Sequence, residues 1–407
     1  MTSTADLRRR IRTATDSVNK GAKYKLLVDP DEAPNPYFLR RPCGVTQLDI
    51  DTGGGLPAGG LCYISGPNNA GKTWLLYNYF AMHQRLYGEE ASIVYGTVEG
   101  PPNHKRMREV GCIVPYPDSM LVEIDIDRSN RRLPLLTKAE KTELKRKVGT
   151  FKILRAHTSE ELLDSLLTIY ASNAFHIIAL DSISATQSSA EAGLDTLGDN
   201  PQQAANASLL TRFMQHYHPL TQGLTKELVT STMIFTAQVR ANRHKSELPS
   251  YMAKWQKDWA TTGGANAMKH GKLIDVQIWS EGKDTEGSKK VVVGKTIKWN
   301  LVKGSAGTSD NKSGEYPYRY DSPGDHTLSL INTGIQYGVA IEQEGKVTFI
   351  DKATGEPLPS TNGTTLVGID GIQGLRNLIA TDPAVEFIIR REILSAAGIG
   401  TCLYRLP

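Results

Sequence analysis

The stretch 61-LCYISGPNNAGKTWLLYNYFAMHQRL-86 decides the fold. A short apolar run of β type leads into Gly66, and a helical pattern begins at Thr73. Between them, Gly66, Pro67, Asn68, Asn69, Ala70, Gly71, Lys72 and Thr73 spell G-x-x-x-x-G-K-T. Only backbone N–H groups in a tight loop can surround a polyphosphate closely, which is why glycines suit the first and sixth places. In this reading Lys72 reaches the β- and γ-phosphates of ATP, the Thr73 hydroxyl binds Mg²⁺, and Trp74 follows on the helix. A plain Gly-rich turn would also match the letters, but not the strand–loop–helix setting.

Outward from this loop, over residues 40–305, short apolar runs alternate with longer helical patterns. ASIVYGTV (91–98), FHIIALD (175–181) and STMIFTAQV (231–239) are separated by helices expected near 159–172 and 205–220. Runs such as IIAL and MIF are apolar throughout, as expected of parallel strands covered on both faces. The expected fold class is α/β, with a mostly parallel central sheet. LIDVQIWS (273–280), KVVVGKTIKWNLV (290–302) and TLSLI (327–331) are expected as antiparallel edge strands. FHIIALDS ends a strand on Asp181, a magnesium-side carboxylate for the loop rather than a simple helix cap. The strand ASIVYGTV leads to Glu99, which by itself reads as a solvated loop glutamate or as a carboxylate that orients attacking water beside the loop.

Composition sets the surroundings. The 407 residues are 39% hydrophobic and 22% charged, with a net charge of +4. That balance is too mild to establish nucleic-acid binding without local clustering. Cys43, Cys62, Cys112 and Cys402 form no CxxC pair, so neither a zinc site nor a disulfide framework is expected, and a reducing, cytoplasmic compartment fits. The first twenty residues are charged where a signal peptide needs an apolar run, and no stretch reads as a membrane span. Three units are expected: an N-terminal helix (5–19) and linker over 1–39, which could serve oligomerisation or pack on its own core; a motor core over 40–334; and a small C-terminal α+β domain over 335–407. In the last, VTFIDKATGEPL reads as a hairpin, and two helices are broken at Asp382–Pro383.

Two long connections interrupt the core. Residues 186–208 are polar. Residues 240–272 carry Arg240, Arg243, Lys245, Lys254, Lys257, Lys269 and Lys272 against Glu247 and Asp258, a net of +5, with Tyr251, Trp255 and Trp259 among them. Cations interleaved with aromatic rings suit single strands, neutralising phosphates while rings stack on bases. YMAKWQKDW could instead be an amphipathic helix burying its rings. Gly263 and Gly264 fit a loop with unusual backbone angles.

The run 46-TQLDIDTGGGLPAGGLCYISGPNNAGKT-73 closely resembles the RecA family of recombinases. The resemblance continues in order through VEGPPNHKRMREVG (98–111), HIIALDSISA (176–185), STMIFTAQVR (231–240) and TTGGANAMKHG (261–271), about two-thirds of the chain. It implies a RecA-type P-loop core in which Glu99 falls on the water-activating glutamate. Gln238 falls on the glutamine that senses the γ-phosphate. Lys303 looks like one of two lysines that reach the neighbouring subunit's ATP; Leu301 stands at the other's place. At the adenine site Arg106 replaces the family aromatic and Asn103 its acidic neighbour; a guanidinium can stack on a purine. The resemblance also places the two connections where the family holds DNA, so Arg240, Arg243, Lys245, Lys254, Trp255, Lys257, Trp259, Gly263, Gly264, Asn266 and Lys269 become DNA-binding candidates.

The expected activity is DNA-dependent ATP hydrolysis by a helical filament on single-stranded DNA, with homologous pairing and strand exchange against double-stranded DNA. The 335–407 module does not resemble the bacterial C-terminal domain and the chain ends LYRLP without an acidic tail. A divergent, bacteriophage UvsX-like member is therefore expected, with single-strand-binding and loader proteins as partners and no membrane. The alternatives are a hexameric replicative helicase, a non-catalytic recombination mediator, or a signalling ATPase on the same core.

Overall fold

The computed structural model describes residues 4–21, 39–98, 100–185, 202–221, 229–241, 259–261, 266–286, 291–305, 307–308, 310–320, 324 and 326–399. The chain opens with α1 (Thr4–Asn19), whose described side chains are almost all exposed. A small ribbon, β1 (Arg40–Arg41) with β2 (Leu56–Pro57), brackets α2 (Thr46–Asp51). Then β3 (Leu61–Gly66) runs into the loop and α3 (Lys72–Tyr87). The pattern repeats through β4 (Ser92–Thr97), α4 (His104–Val110), α5 (Asp118–Asn130), α6 (Lys138–Leu144), β5 (Thr150–Leu154), α7 (Ser159–Ser172) and β6 (Ile177–Asp181). Next come α8 (Gln202–Thr221), β7 (Thr232–Ala241), β8 (Trp259–Thr261) and α9 (Asn266–Gly271). Then β9 (Ile274–Glu286), β10 (Val291–Gly304) and β11 (Ser313–Arg319) complete the main sheet.

That sheet has nine strands in the order β11-β10-β9-β3-β7-β6-β4-β5, with β8 pairing β7. From β9 to β5 every neighbouring pair along this order is parallel. The reason is legible in the strands. Cys62 and Ile64 of β3, with Ile177 and Ala179 of β6, face α3 and its Leu75, Leu76 and Phe80. Leu61 and Tyr63, with Ile178 and Leu180, face Leu162 and Leu166 of α7 and Phe213 and Tyr217 of α8. A strand covered on both faces has no polar side, and each fully buried large apolar side chain contributes about 1.5–3 kcal/mol. Crossovers of this kind bring the carboxyl ends of the parallel strands to one edge, the usual ligand side of such sheets.

Four expectations need correction. Neither LIDVQIWS nor KVVVGKTIKWNLV is an edge strand, because β9 lies inside the sheet, parallel to β3 and antiparallel to β10, and β10 lies between β9 and β11. TLSLI is not a strand at all but the first turn of α10 (Thr327–Tyr337). Thr327, Leu330, Ile331 and Gly334 are buried there at helical spacing, and Gly338 closes the helix at φ 72°. Nor are residues 240–272 one continuous loop. β7 extends to Ala241, Trp259 sits in β8 against it, and α9 begins at Asn266. Lys272 is buried and ion-paired with Asp275, which also accepts from Ser65 Oγ at 2.6 Å, so one cation of that segment is spent internally.

Beyond α10, β12 (Ala340–Gln343), β13 (Lys346–Phe349) and β14 (Ile369–Asp370) form a three-stranded antiparallel sheet. Ile350 and Pro357 bridge within the expected hairpin VTFIDKATGEPL. α11 (Gly371–Thr381) and α12 (Ala384–Ala396) meet at Asp382–Pro383. Their core of Leu330, Val347, Phe349, Leu375 and Ile389 also takes in Ile50 of α2 and Met82 of α3. α10 runs across residue 335, so the change of texture there falls inside a helix.

Candidate nucleotide site

The loop leaves β3 at Gly66, where a Cβ would lie 2.2 Å from the Ile278 carbonyl oxygen. No larger residue fits between β3 and β9 at that point. Gly71 begins α3 at φ 98°, the left-handed region that glycine adopts without cost. Lys72 Nζ donates to the carbonyls of Gly66 (3.1 Å) and Pro67 (2.9 Å), which holds the ammonium over the loop. The helix start adds oriented N–H groups and a partial positive charge.

Opposite the loop, Thr73 Oγ1 donates to Asp181 Oδ2 at 2.6 Å. Asp181 ends β6 and is buried; Thr236 on β7 and, at 3.4 Å, Tyr95 on β4 also donate to it. Burial, with the Asp181 charge beside it, raises the Tyr95 phenol well above its ordinary value, so it stays protonated as a donor. A hydroxyl and a carboxylate this close are a hard-oxygen pair of the kind Mg²⁺ takes, together with phosphate oxygens. The donor set fits a magnesium triphosphate.

Gln238 lies across from Gly66 in the parallel β3–β7 register. Its Nε2 donates to Asn68 Oδ1 at 2.5 Å, and its backbone N–H donates to Ser184 Oγ at 2.8 Å. One side chain thus bridges the phosphate loop and the strand that runs out toward residue 242, while its N–H touches the short turn Ile183–Ala185 preceding residue 186. These sequence candidates converge.

An open cleft of about 580 Å³ joins Asn68, Lys72, Thr73, Asp181 and Gln238 to Lys295, Tyr318 and Tyr320. The last three were not anticipated. Lys295 on β10 pairs with Tyr318 on β11 and donates to the Asn69 carbonyl at 2.5 Å. Burial, then the nearby Arg106 charge, lowers the pKa of its ammonium. Arg106 and Lys295 both sit over the Tyr318 ring, at 5.3 and 5.8 Å. Trp74 stacks on Tyr316 at 5.2 Å and meets Tyr318 edge-on. The signal was present in 315-EYPYRY-320, where tyrosines alternate onto one face of a strand.

Other candidates have more local partners. Asn103 caps α4, its side chain accepting from Arg106 N at 2.9 Å, while Arg106 also pairs with Glu109. Lys303 donates to the carbonyls of Lys269 and His270, closing the end of α9. Lys269 is exposed. Glu99, Arg243, Lys245, Lys254, Trp255, Lys257, Gly263 and Gly264 lie outside the described residues; for Arg240, Trp259 and Asn266 only the backbone is described. The last described residue before Glu99, Val98, donates its N–H to the Asp181 carbonyl at 3.0 Å. Among the described residues no helix is long and apolar enough to cross a membrane.

No family model matches the chain. Over 372 residues, 91% of this chain and 87% of the relative, it is 22% identical to Protein RecA of Acidothermus cellulolyticus. Over 368 residues, 88% of this chain and 77% of the relative, it is 23% identical to Protein RecA of Bdellovibrio bacteriovorus. The likeness therefore runs well past residues 40–305. With an α/β fold around a large, mostly parallel sheet consistent with a RecA-type core, this similarity supports a RecA-like family.

Proposed function

We propose that this chain is a DNA-dependent ATPase that assembles as a helical filament on single-stranded DNA and pairs it with a homologous duplex. The observation that carries the reading is the Asn68–Gln238 bridge beside the Thr73–Asp181 pair. It links a triphosphate cradle directly to the strand from which the basic, aromatic segment departs. Similarity to two proteins named RecA along most of the chain supports it.

In this reading the loop N–H groups and Lys72 hold the phosphates of ATP. Thr73 and Asp181 would hold Mg²⁺, which would supply charge neutralisation at the phosphates. Lys295 and Arg106, held over the buried Tyr318 ring, add cationic field, and the exposed Tyr320 ring offers flat surface for the base. Glu99 orients the attacking water. Gln238 can bond either Asn68 or a γ-phosphate oxygen, so nucleotide state is written into the start of the 242–258 segment. Arg240, Arg243, Lys245, Lys254, Trp255, Lys257, Trp259, Gly263, Gly264, Asn266 and Lys269 supply the DNA contacts. Lys303 turns toward a neighbouring protomer's nucleotide on assembly, exchanging its α9 carbonyls for phosphate. Residues 1–39 serve assembly, 40–334 form the motor and 335–407 a small appended domain. A cytoplasmic, UvsX-like recombinase served by loader and single-strand-binding proteins is the fullest form of the proposal.

Lys72→Ala tests it. ATP turnover in the presence of single-stranded DNA should fall to background while the fold, followed by circular dichroism, persists. Retained turnover would refute the site. Electron microscopy with an ATP analogue should show open helical filaments; closed rings would instead favour the helicase.

A further inference from the structure

Charge in this chain is segregated. Residues 138–157 carry seven Lys/Arg against Glu140 and Glu143, a net of +5. Residues 240–272 carry another +5, which leaves −6 for everything else in a chain of net +4. The first of these basic segments belongs to no part of the site described above. It forms α6 and β5, and its cations border a cleft of about 620 Å³.

We propose that this cleft holds the phosphodiester backbone of a single nucleic-acid strand, gripped by Lys147 and Arg155. Arg155 follows the last residue of β5, and β5 is parallel to β4, which is parallel to β6. The cleft therefore runs along β5, the last strand of the sheet: Lys145 and Lys147 precede the strand, and Arg155 follows it at the carboxyl edge that also carries the phosphate loop and Gln238. Its cations are Lys145, Lys147 and Arg155, and the one carboxylate among its lining residues, Asp118, is paired with Lys145. Its floor is apolar, with Pro102, Pro115, Pro117 and Tyr116, a surface suited to a sugar or base edge between phosphates.

The cations differ in availability. Glu140 is spent on Arg128, and Glu143 on Arg108 and Arg146. Lys141 is paired with Asp125 and Lys145 with Asp118. Among the described residues Lys147 and Arg155 have no ion-pair partner, and both are exposed. A merely solvated basic face would not need a cleft with an apolar floor. Arg108 is stacked over the Tyr116 ring at 5.4 Å, so the floor itself is held rigid. Two unspent cations over an apolar floor match the single-strand pattern of phosphate neutralisation with an apolar platform.

The inference rests on the reading of the chain as a single-strand binder, and its test separates the two. Anisotropy of a labelled oligothymidylate is followed against salt for the wild type and for Lys147→Gln/Arg155→Gln. Each lost phosphate contact on a single strand should reduce the salt slope by about 0.7, so the double variant should lose about 1.4 from it. Its affinity at low salt should fall about tenfold, while ATP binding and the thermal melt stay unchanged. Lys147→Arg/Arg155→Lys should restore wild-type binding. A wild type that binds but a Gln variant with the same slope and affinity overturns this site alone. A wild type that binds no single strand overturns both readings. A second equivalent of ATP bound by the wild type and lost in the Gln variant, with the DNA isotherm unchanged, would assign the cleft to free nucleotide instead.

Discussion

At the scale of single residues, the chemistry hangs on short polar contacts between strand ends. Gln238 is the most informative, because its amide already spans the loop and β7. Gln238→Ala removes that bridge without touching Lys72, Thr73 or Asp181. ATP affinity should change by no more than about tenfold, since one exposed neutral hydrogen bond contributes only ~0.5–1.5 kcal/mol. Stimulation of hydrolysis by single-stranded DNA should instead vanish, as the side-chain bridge from β7 to Asn68 of the loop is lost. A Gln238→Ala variant whose turnover still rises on adding DNA would show that coupling runs elsewhere. The convergence of Gly66, Lys72, Thr73, Asp181 and Gln238 was legible in the sequence, because each ends or follows an apolar strand whose direction fixes its end. Lys295, Tyr318 and Tyr320 were not. They come from antiparallel strands on the far side of β9, and only the β10–β11 register brings them over the loop.

Among the elements, α12 is tied to the core by a buried ionic knot. Arg390, fully buried, donates to Glu386 through Nε and Nη2 and to Thr46 Oγ1 on α2 at 2.9 Å, and Arg85 of α3 pairs with the same carboxylate. Burial alone would raise the Glu386 pKa, yet the Arg85 and Arg390 charges overcome it and hold the carboxyl at about 2. A second buried cluster sits at the same, carboxyl-terminal end of α3. His83 Nε2 and His176 Nδ1 lie 3.1 Å apart beside Arg41 and Tyr87. Burial, then the Arg41 charge, holds His176 at about 4 and His83 well below its ordinary value. All three groups have depressed values, so the unfolded chain takes up protons that the folded chain refuses. The contribution of the two imidazoles should therefore be complete above about pH 6.5 and fall toward pH 4, offset in part by buried Asp49, raised to about 6, which takes up one proton in the folded chain over that range. Below about pH 4.5 the Glu386 contribution is lost in turn, as the pH falls toward 2. Urea midpoints across pH 3–8 check this, and a flat profile would contradict it. Arg390→Met should cost about 3–5 kcal/mol by leaving a buried carboxylate short of a partner. The pairing of this helix with α2 was invisible beforehand, because 344 residues separate Arg390 from Thr46. TLSLI misled for a related reason: five residues fit either period, and the choice was made by the buried stripe reaching Gly334.

For the whole molecule, the question is what a chain does with a helix that packs on little of itself. Ile11 is 58% and Val18 48% exposed on α1, and Arg8, Arg9, Arg10 and Arg12 surround them without burial. An isolated helix of 16 residues is marginal in water, so α1 gains its stability where its apolar stripe is covered. If a second copy covers it, the patch on one protomer meets a different patch on the next. Such a heterologous contact propagates into a helix unless its rotation closes a ring. Ile11→Asp/Val18→Asp separates assembly from chemistry, because neither residue approaches the loop. Nucleotide binding should be retained, since the cradle is built within one chain. Sedimentation with Mg²⁺ and an ATP analogue should shift from long assemblies to monomers. With about half of each side chain still to be buried, the interface should lose roughly 1–3 kcal/mol plus the cost of desolvating two carboxylates, at least about tenfold in affinity per contact. Multiplied along a filament, that is enough to abolish it. Filaments of normal length from this double variant would mean that α1 folds back on its own chain and that assembly relies on the faces of the core.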